Sequence, residues 1–75
     1  MQYAVMIEQA DDGSYSAYVP DLPGCVSCGD TKEEVEALIR EAIDLHIDSL
    51  QRHGEPIPAP RTSVVNLEVP ARARA

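Results

Sequence analysis

The chain has 75 residues, 13 acidic and 6 basic, and a formal net charge of −7. This charge argues against direct binding to nucleic acid, because neutralising phosphates requires a basic surface. The length allows one small domain, and with no Trp and no Phe its core must come from aliphatic residues and three Tyr. A core this small is typical of domains that gain stability from a partner, so we expect a homo-oligomer, a dimer or a tetramer.

The start of the chain and its apolar segments predict a cytoplasmic protein with no membrane contact. Residues 1–5 lack the basic and apolar regions of a signal peptide. No apolar run approaches the roughly 20 residues of a membrane-spanning helix. Residues 1–70 hold 4 basic and 13 acidic residues, a balance that suits a basic protein partner.

The first half of the chain alternates apolar and polar residues, as strands do. Residues 2–9 place Tyr3, Val5 and Ile7 on one face, and residues 15–19 return as a second strand. Between them, Asp11-Asp12-Gly13-Ser14 has the composition of a tight turn. The sequence therefore predicts a β-hairpin at the amino-terminal end.

The segment Val19–Cys25 breaks this alternation. Pro20 and Pro23 lack the N–H that a central strand needs. Pro23-Gly24 is the pair that a type II turn favours, because its second central residue takes a positive φ. We expect a corner here, followed by a short third strand over roughly residues 25–28.

A long helix is predicted from Thr31 to about Arg52 or His53. Thr31 and Glu34 have the spacing of a capping box, and Gly54 is a suitable stop. Apolar residues recur at the helical period along one face. That face comprises Val35, Leu38, Ile39, Ala42, Ile43, His46, Ile47 and Leu50.

Residues 55–60 form a Pro-rich connector, and the alternation of residues 62–69 predicts a fourth strand. The expected fold is α+β: a two-layer β-β-β-α-β domain with a three-stranded antiparallel sheet, a fourth C-terminal strand and one helix on one face. Residues 1–70 form the domain and 71–75 a disordered tail. The second sheet face, carrying Ala4, Met6 and Tyr18, is a candidate docking surface.

The pair Cys25-x-x-Cys28 leaves open a metal-binding or redox alternative. Two cysteines with His46 or His53 are zinc-ligand types. However, positions three apart in a strand point to opposite faces, and the two His lie about 10.5 Å apart along a helix. A redox motif would place its first Cys at a helix start. We therefore expect no metal, no cofactor and no enzymatic activity, since no motif of a catalytic class occurs either.

The ordered set of Gly13-Ser14-Tyr15, Val19–Cys25, Gly29-Asp30-Thr31 and Glu33-Glu34 resembles the HicB-like antitoxin family. The likeness covers residues 1–53. It implies a truncated RNase H-like β-β-β-α-β fold without the nuclease's catalytic acids. Family members commonly add a ribbon-helix-helix or helix-turn-helix DNA-binding module, but here only residues 54–75 follow the helix, so DNA binding is not expected.

The resemblance implies a non-enzymatic antitoxin of a type II toxin-antitoxin system. Its partner would be HicA, a small basic toxin with a dsRBD-like fold that cuts messenger RNA and is masked by binding. The alternative is a structural or regulatory oligomeric module of the same fold with another protein partner. Our candidate contact residues lie at or beside the corner: Tyr18, Asp21, Leu22 and Pro23.

Overall fold

The computed structural model describes residues 1–71 and contains three strands followed by one helix. Strands β1 (Met6–Gln9), β2 (Tyr15–Tyr18) and β3 (Val26–Gly29) form an antiparallel sheet in the order β1-β2-β3. Helix α1 spans Lys32–Arg52 and covers one face of that sheet. The α+β class and the order of these four elements are as the sequence predicts, although β1 is shorter than expected.

The turn between β1 and β2 is closed by hydrogen bonds on both sides of Gly13. The Gly13 N–H donates to the Ala10 carbonyl at 2.9 Å, and the Ala10 N–H donates to the Ser14 carbonyl at 2.8 Å. Gly13 has a φ of 90°, a region that other residues rarely adopt. The Asp12 carboxylate accepts from the Ser14 N–H and hydroxyl, and these bonds lower the pKa of Asp12.

The corner between β2 and β3 consists of two successive β-turns. The Leu22 N–H donates to the Val19 carbonyl at 3.0 Å, and the Cys25 N–H donates to the Leu22 carbonyl at 3.0 Å. Gly24 has a φ of 87°, which makes the second turn the type II turn predicted from Pro23-Gly24. A bond from the Val19 N–H to the Cys25 carbonyl closes the loop at its base.

Both ends of α1 are capped by local side chains and backbone. The Thr31 hydroxyl accepts from the Glu34 N–H at 3.1 Å, as the capping box predicts. The Glu34 carboxylate instead reaches one residue further back and accepts from the Asp30 N–H at 2.9 Å. Gly54 takes a φ of 65° just beyond the helix, so the predicted stop is also observed.

The core lies between the helix and the inner face of the sheet, and it is fully buried only near the start of α1. At about 1.5 Å per residue the helix is about 31 Å long, whereas a four-residue strand spans about 13 Å. The later turns of α1 therefore extend past the sheet. The buried core residues are Ala17, Val19, Leu22, Cys25, Val35 and Ile39.

The predicted fourth strand is not formed. Residues 62–69 belong to no strand, and no backbone hydrogen bond joins them to another element among residues 1–71. A strand needs a neighbouring edge, and the alternating pattern does not specify which edge that is. Of the predicted tail, residues 72–75 lie outside the described part. No helix among the described residues is long and apolar enough to cross a membrane.

Candidate protein-binding surface

The sheet face opposite α1 has an apolar row that crosses all three strands. Met6 pairs with Tyr18 across β1 and β2, and Tyr18 pairs with Val26 across β2 and β3. Because alternate residues of a strand share a face, all three side chains lie on the side away from the buried Ala17. We call Met6, Tyr18 and Val26 the outer row.

Two of the three outer-row side chains are exposed to solvent, and Met6 is half-buried. Tyr18, at its centre, is 39% exposed and Val26 is 64% exposed. Pro23, at the tip of the corner, is also exposed. Tyrosine is enriched at the energetic centres of protein interfaces, because its ring buries a large area and its hydroxyl keeps a hydrogen bond. The predicted contact residues Tyr18 and Pro23 are therefore accessible to a partner.

Leu22 lies on the inside of the corner. Its exposed fraction is 0%, and it belongs to the same buried cluster as Val35 of the helix. The reason is local: the two turns reverse the chain around Leu22 and direct its side chain under the corner. A partner on the protein surface would not touch this side chain, so Leu22 supports the corner from beneath.

Asp21 holds a distant segment of the same chain. Its carboxylate accepts hydrogen bonds from the Arg61 N–H at 2.8 Å and from the Thr62 N–H and hydroxyl at 2.9 Å. The two backbone N–H groups are the main reason that the pKa of Asp21 is lowered. The Tyr3 hydroxyl also donates to the Pro58 carbonyl. We call these contacts the connector latch.

The two cysteines lie in different environments and form no disulfide. Cys25 is buried, which raises the pKa of its thiol, whereas Cys28 is exposed. His53 is occupied at the helix end, where its Nδ1 lies 2.8 Å from the Ser49 carbonyl. Within residues 1–71 no three His, Cys, Asp or Glu side chains converge as a metal site would require.

Sequence reasoning missed two features of this surface. Met6 and Tyr18 were predicted to share the second sheet face, but Val26 was not selected, because its alignment with Tyr18 depends on the strand register, which a single sequence does not reveal. The role of Asp21 was also missed, since its partners are 40 and 41 residues away. The sequence signal for the outer row was weak: an apolar residue on the outward side of each predicted strand.

Comparison with known proteins identifies the family of the chain. A family model described as "HicB_like antitoxin of bacterial toxin-antitoxin system" matches residues 3–71. The chain belongs to the HicB-like antitoxin family. The match includes the hairpin, the corner, the helix and the segment after it, and it confirms the resemblance drawn from the sequence.

Several relatives of this HicB-like chain are of similar size. A UPF0150 protein of Thermoplasma acidophilum is 48% identical over 58 residues, which cover 77% of this chain and 84% of the relative. A UPF0150 protein of Synechocystis is 48% identical over 56 residues, covering 75% and 71%. Antitoxin HicB 1 of Photorhabdus laumondii is 32% identical over 60 residues, covering 80% of this chain and 39% of that longer protein.

The fold of this HicB-like chain also matches a solved antitoxin domain. The crystal structure of the N-terminal domain of Burkholderia pseudomallei antitoxin HicB superposes with a TM-score of 0.75 and 30% identity. The superposition covers 84% of this chain and 74% of that one. Three antiparallel strands and one long helix are thus the architecture of a known antitoxin domain.

Proposed function

We propose that the chain neutralises a small basic toxin of the HicA type, which cuts messenger RNA, by binding over the toxin's active site. Family membership supports an antitoxin role. The structural observation that carries the proposal is the outer row, which places the exposed Tyr18 at the centre of an apolar strip on the sheet face away from the buried Ala17. Such a strip is typical of a protein interface.

The charge of the chain supports a basic partner. The net charge is −7, and the acidic residues of α1 are all exposed. Long-range attraction between opposite charges raises the association rate, whereas the apolar contacts of the outer row set the dissociation rate. We therefore expect the association rate to fall with added salt and the dissociation rate to change little.

The proposed role involves no catalysis by this chain. The RNase H-like fold implied by the family resemblance would here lack its catalytic acids. The scattering of carboxylates supports this, because no three His, Cys, Asp or Glu side chains converge in the described part of the chain. A two-metal nuclease requires carboxylates that converge on the same pair of ions.

We assign different roles to the four predicted contact residues. Tyr18 and Pro23 touch the toxin, because both are exposed on or beside the outer row. Asp21 and Leu22 keep the corner in shape, one through the connector latch and the other through the core. The acting form is a homo-oligomer, since the buried core within residues 1–71 contains six residues and small cores are commonly completed by a partner.

The test begins with the reading frames beside the gene. We expect one to encode a small basic protein that arrests growth when expressed alone, and co-expression of this chain should restore growth. Titration calorimetry on the purified pair then compares Tyr18→Ala with Leu45→Ala. Tyr18→Ala should weaken binding about 30-fold, as loss of about 2 kcal/mol at an interface centre does.

Leu45→Ala is the matched control, because Leu45 is 62% exposed on the helix, on the other side of the sheet. Its effect on binding should stay within about twofold, which corresponds to under about 0.5 kcal/mol. Equal effects of the two variants would place the interface elsewhere. If no adjacent frame encodes a basic toxin and no such protein binds, a module with another protein partner becomes the better explanation.

A further inference from the structure

The C-terminal arm, residues 63–71, exposes large apolar side chains and belongs to no helix or strand. Val65, Leu67 and Val69 are 75%, 77% and 68% exposed and alternate with Asn66 and Glu68. Isolated exposed apolar residues are ordinary, but an alternating series on one side of an extended segment is the pattern of a strand that covers a core. Within residues 1–71 this segment has no strand neighbour.

The edge of the sheet at β1 is open along its length. Since the strand order is β1-β2-β3, the outer backbone groups of β1 have no neighbouring strand in the part of the chain that the structure describes. Beside this edge, between β1 and α1, lies a groove of about 530 Å³ whose lining includes Val5, Ile7, Ile39 and Ile43. An unpaired edge beside apolar side chains is a template for one more strand.

A chain's own arm does not line this groove but borders a second open space on the β1 side. The connector latch fixes residues 58–62 beside Tyr3 and Asp21. Beyond the latch, Val64 and Asn66 face the β1 side across an open space of about 670 Å³. Among residues 1–71 no backbone hydrogen bond crosses that space. The cleft between the arm and β1 is thus free for another segment.

We propose that the C-terminal arm of one copy adds as a strand to the β1 edge of a second copy, and that the second copy's arm does the same in return. Val65, Leu67 and Val69 enter the groove between β1 and α1 of the other copy. The proposal rests on the self-association proposed above and identifies the segment that causes it. Reciprocal exchange is a closed two-fold arrangement, so it does not propagate into fibres.

The dimensions of the two segments agree. Residues 63–69 number seven and, when extended, span about 23 Å. Residues 3–9, which form β1 and the segment leading into it, also number seven and border the groove. A second copy supplies the arm and the groove together, whereas an unrelated partner would have to supply a matching strand.

The shape of the protomer supports exchange between copies. Its Cα radius of gyration is 15.2 Å and its longest dimension is 54 Å. A compact chain of 75 residues has a radius of gyration of about 11 Å. Part of the chain therefore projects from the body, as expected of an arm that is buried only on a neighbour.

The first experiment measures the molar mass of the full-length chain by size exclusion with light scattering over a range of concentrations. We expect a dimer, or a multiple of it. Leu67→Asp should raise the dissociation constant at least tenfold, because it puts a charge into the groove. Leu45→Asp is the matched control: it makes the same substitution at an exposed helix position that lines neither the groove nor the cleft, and it should change the constant less than twofold.

The second experiment identifies which copy the arm touches. ¹³C-labelled and unlabelled protein are unfolded, mixed in equal amounts and refolded, and isotope-filtered NOEs are recorded. Contacts between the Leu67 methyls of one copy and the Ile7 methyls of another would support exchange, whereas contacts only within one copy would overturn it. A dimer that tolerates Leu67→Asp would also overturn exchange while leaving self-association intact. A monomer at all concentrations would overturn both, and toxin binding is measured independently.

Discussion

Leu22→Ala tests whether the corner is part of the core. The substitution removes three carbons from a side chain that is 0% exposed. Burial of each of these carbons contributes about 0.8 kcal/mol, and the loss of that contribution accounts for most of the expected destabilisation. The cavity left under the corner adds the remainder, so the free energy of unfolding should fall by about 3 kcal/mol. The total free energy of unfolding of a domain of this length is only about 4–11 kcal/mol.

The measurement is urea unfolding followed by circular dichroism at one fixed protein concentration, since self-association would otherwise shift the midpoint. With an m-value of about 1 kcal/mol per molar, the midpoint should move by roughly 2–3 M. Leu45→Ala removes the same atoms from an exposed helix position and should cost under about 0.5 kcal/mol. Equal losses in the two variants would refute the placement of Leu22 in the core.

Thr31→Ala should lower the free energy of unfolding by about 1 kcal/mol, because the Glu34 N–H loses its acceptor. Thr31→Ser keeps the hydroxyl and serves as control; equal losses would contradict capping. Gly24→Ala should lower the free energy of unfolding by about 1–2 kcal/mol in the same urea assay, because Gly24 has a φ of 87°, which disfavours any residue with a side chain. An added methyl group would meet no other atom within 4 Å, so the loss comes from the backbone conformation alone. A neutral result would contradict the turn type. The lowered pKa of Asp21 predicts that its stabilising contribution is complete above the unfolded-state value of about 4 and is lost as pH falls through the lower folded-state value. The protection factors of the Arg61 and Thr62 amides, which correct for the intrinsic pH dependence of exchange, should therefore fall in acid, and Asp21→Asn should remove that fall.

Local chemistry was enough to predict the elements of this fold. Pro23-Gly24 fixes its turn because the two residues restrict φ in complementary ways. Thr31 and Gly54 bound the helix through contacts that lie within a few residues. The inward positions Val35 and Ile39 followed from the helical period. Each of these predictions depends on neighbours in the sequence, and each was confirmed.

The features that sequence did not predict depend on residues far apart in the chain. The direction of Leu22 could not be inferred, because residues in consecutive turns follow no period. The hydrogen bonds of Asp21 join residues about 40 positions apart. The alternation of residues 62–69 predicted a fourth strand, which the structure does not show. Within residues 1–71 this segment has no strand neighbour, and an alternating pattern carries no information about which edge would accept it.

The length of α1 has a consequence for how the protein opens. The fully buried helix residues are Val35 and Ile39, with Ala42 and Ile43 packed against them, and within residues 1–71 no helix residue after Ile43 packs against the buried cluster. Isolated helical segments are marginal in water. We therefore expect the amide protons at the far end of α1 to exchange through local opening. Those of the first turns should exchange only when the whole domain unfolds. One continuous helix would thus contain both the most persistent and some of the most transient backbone of the domain.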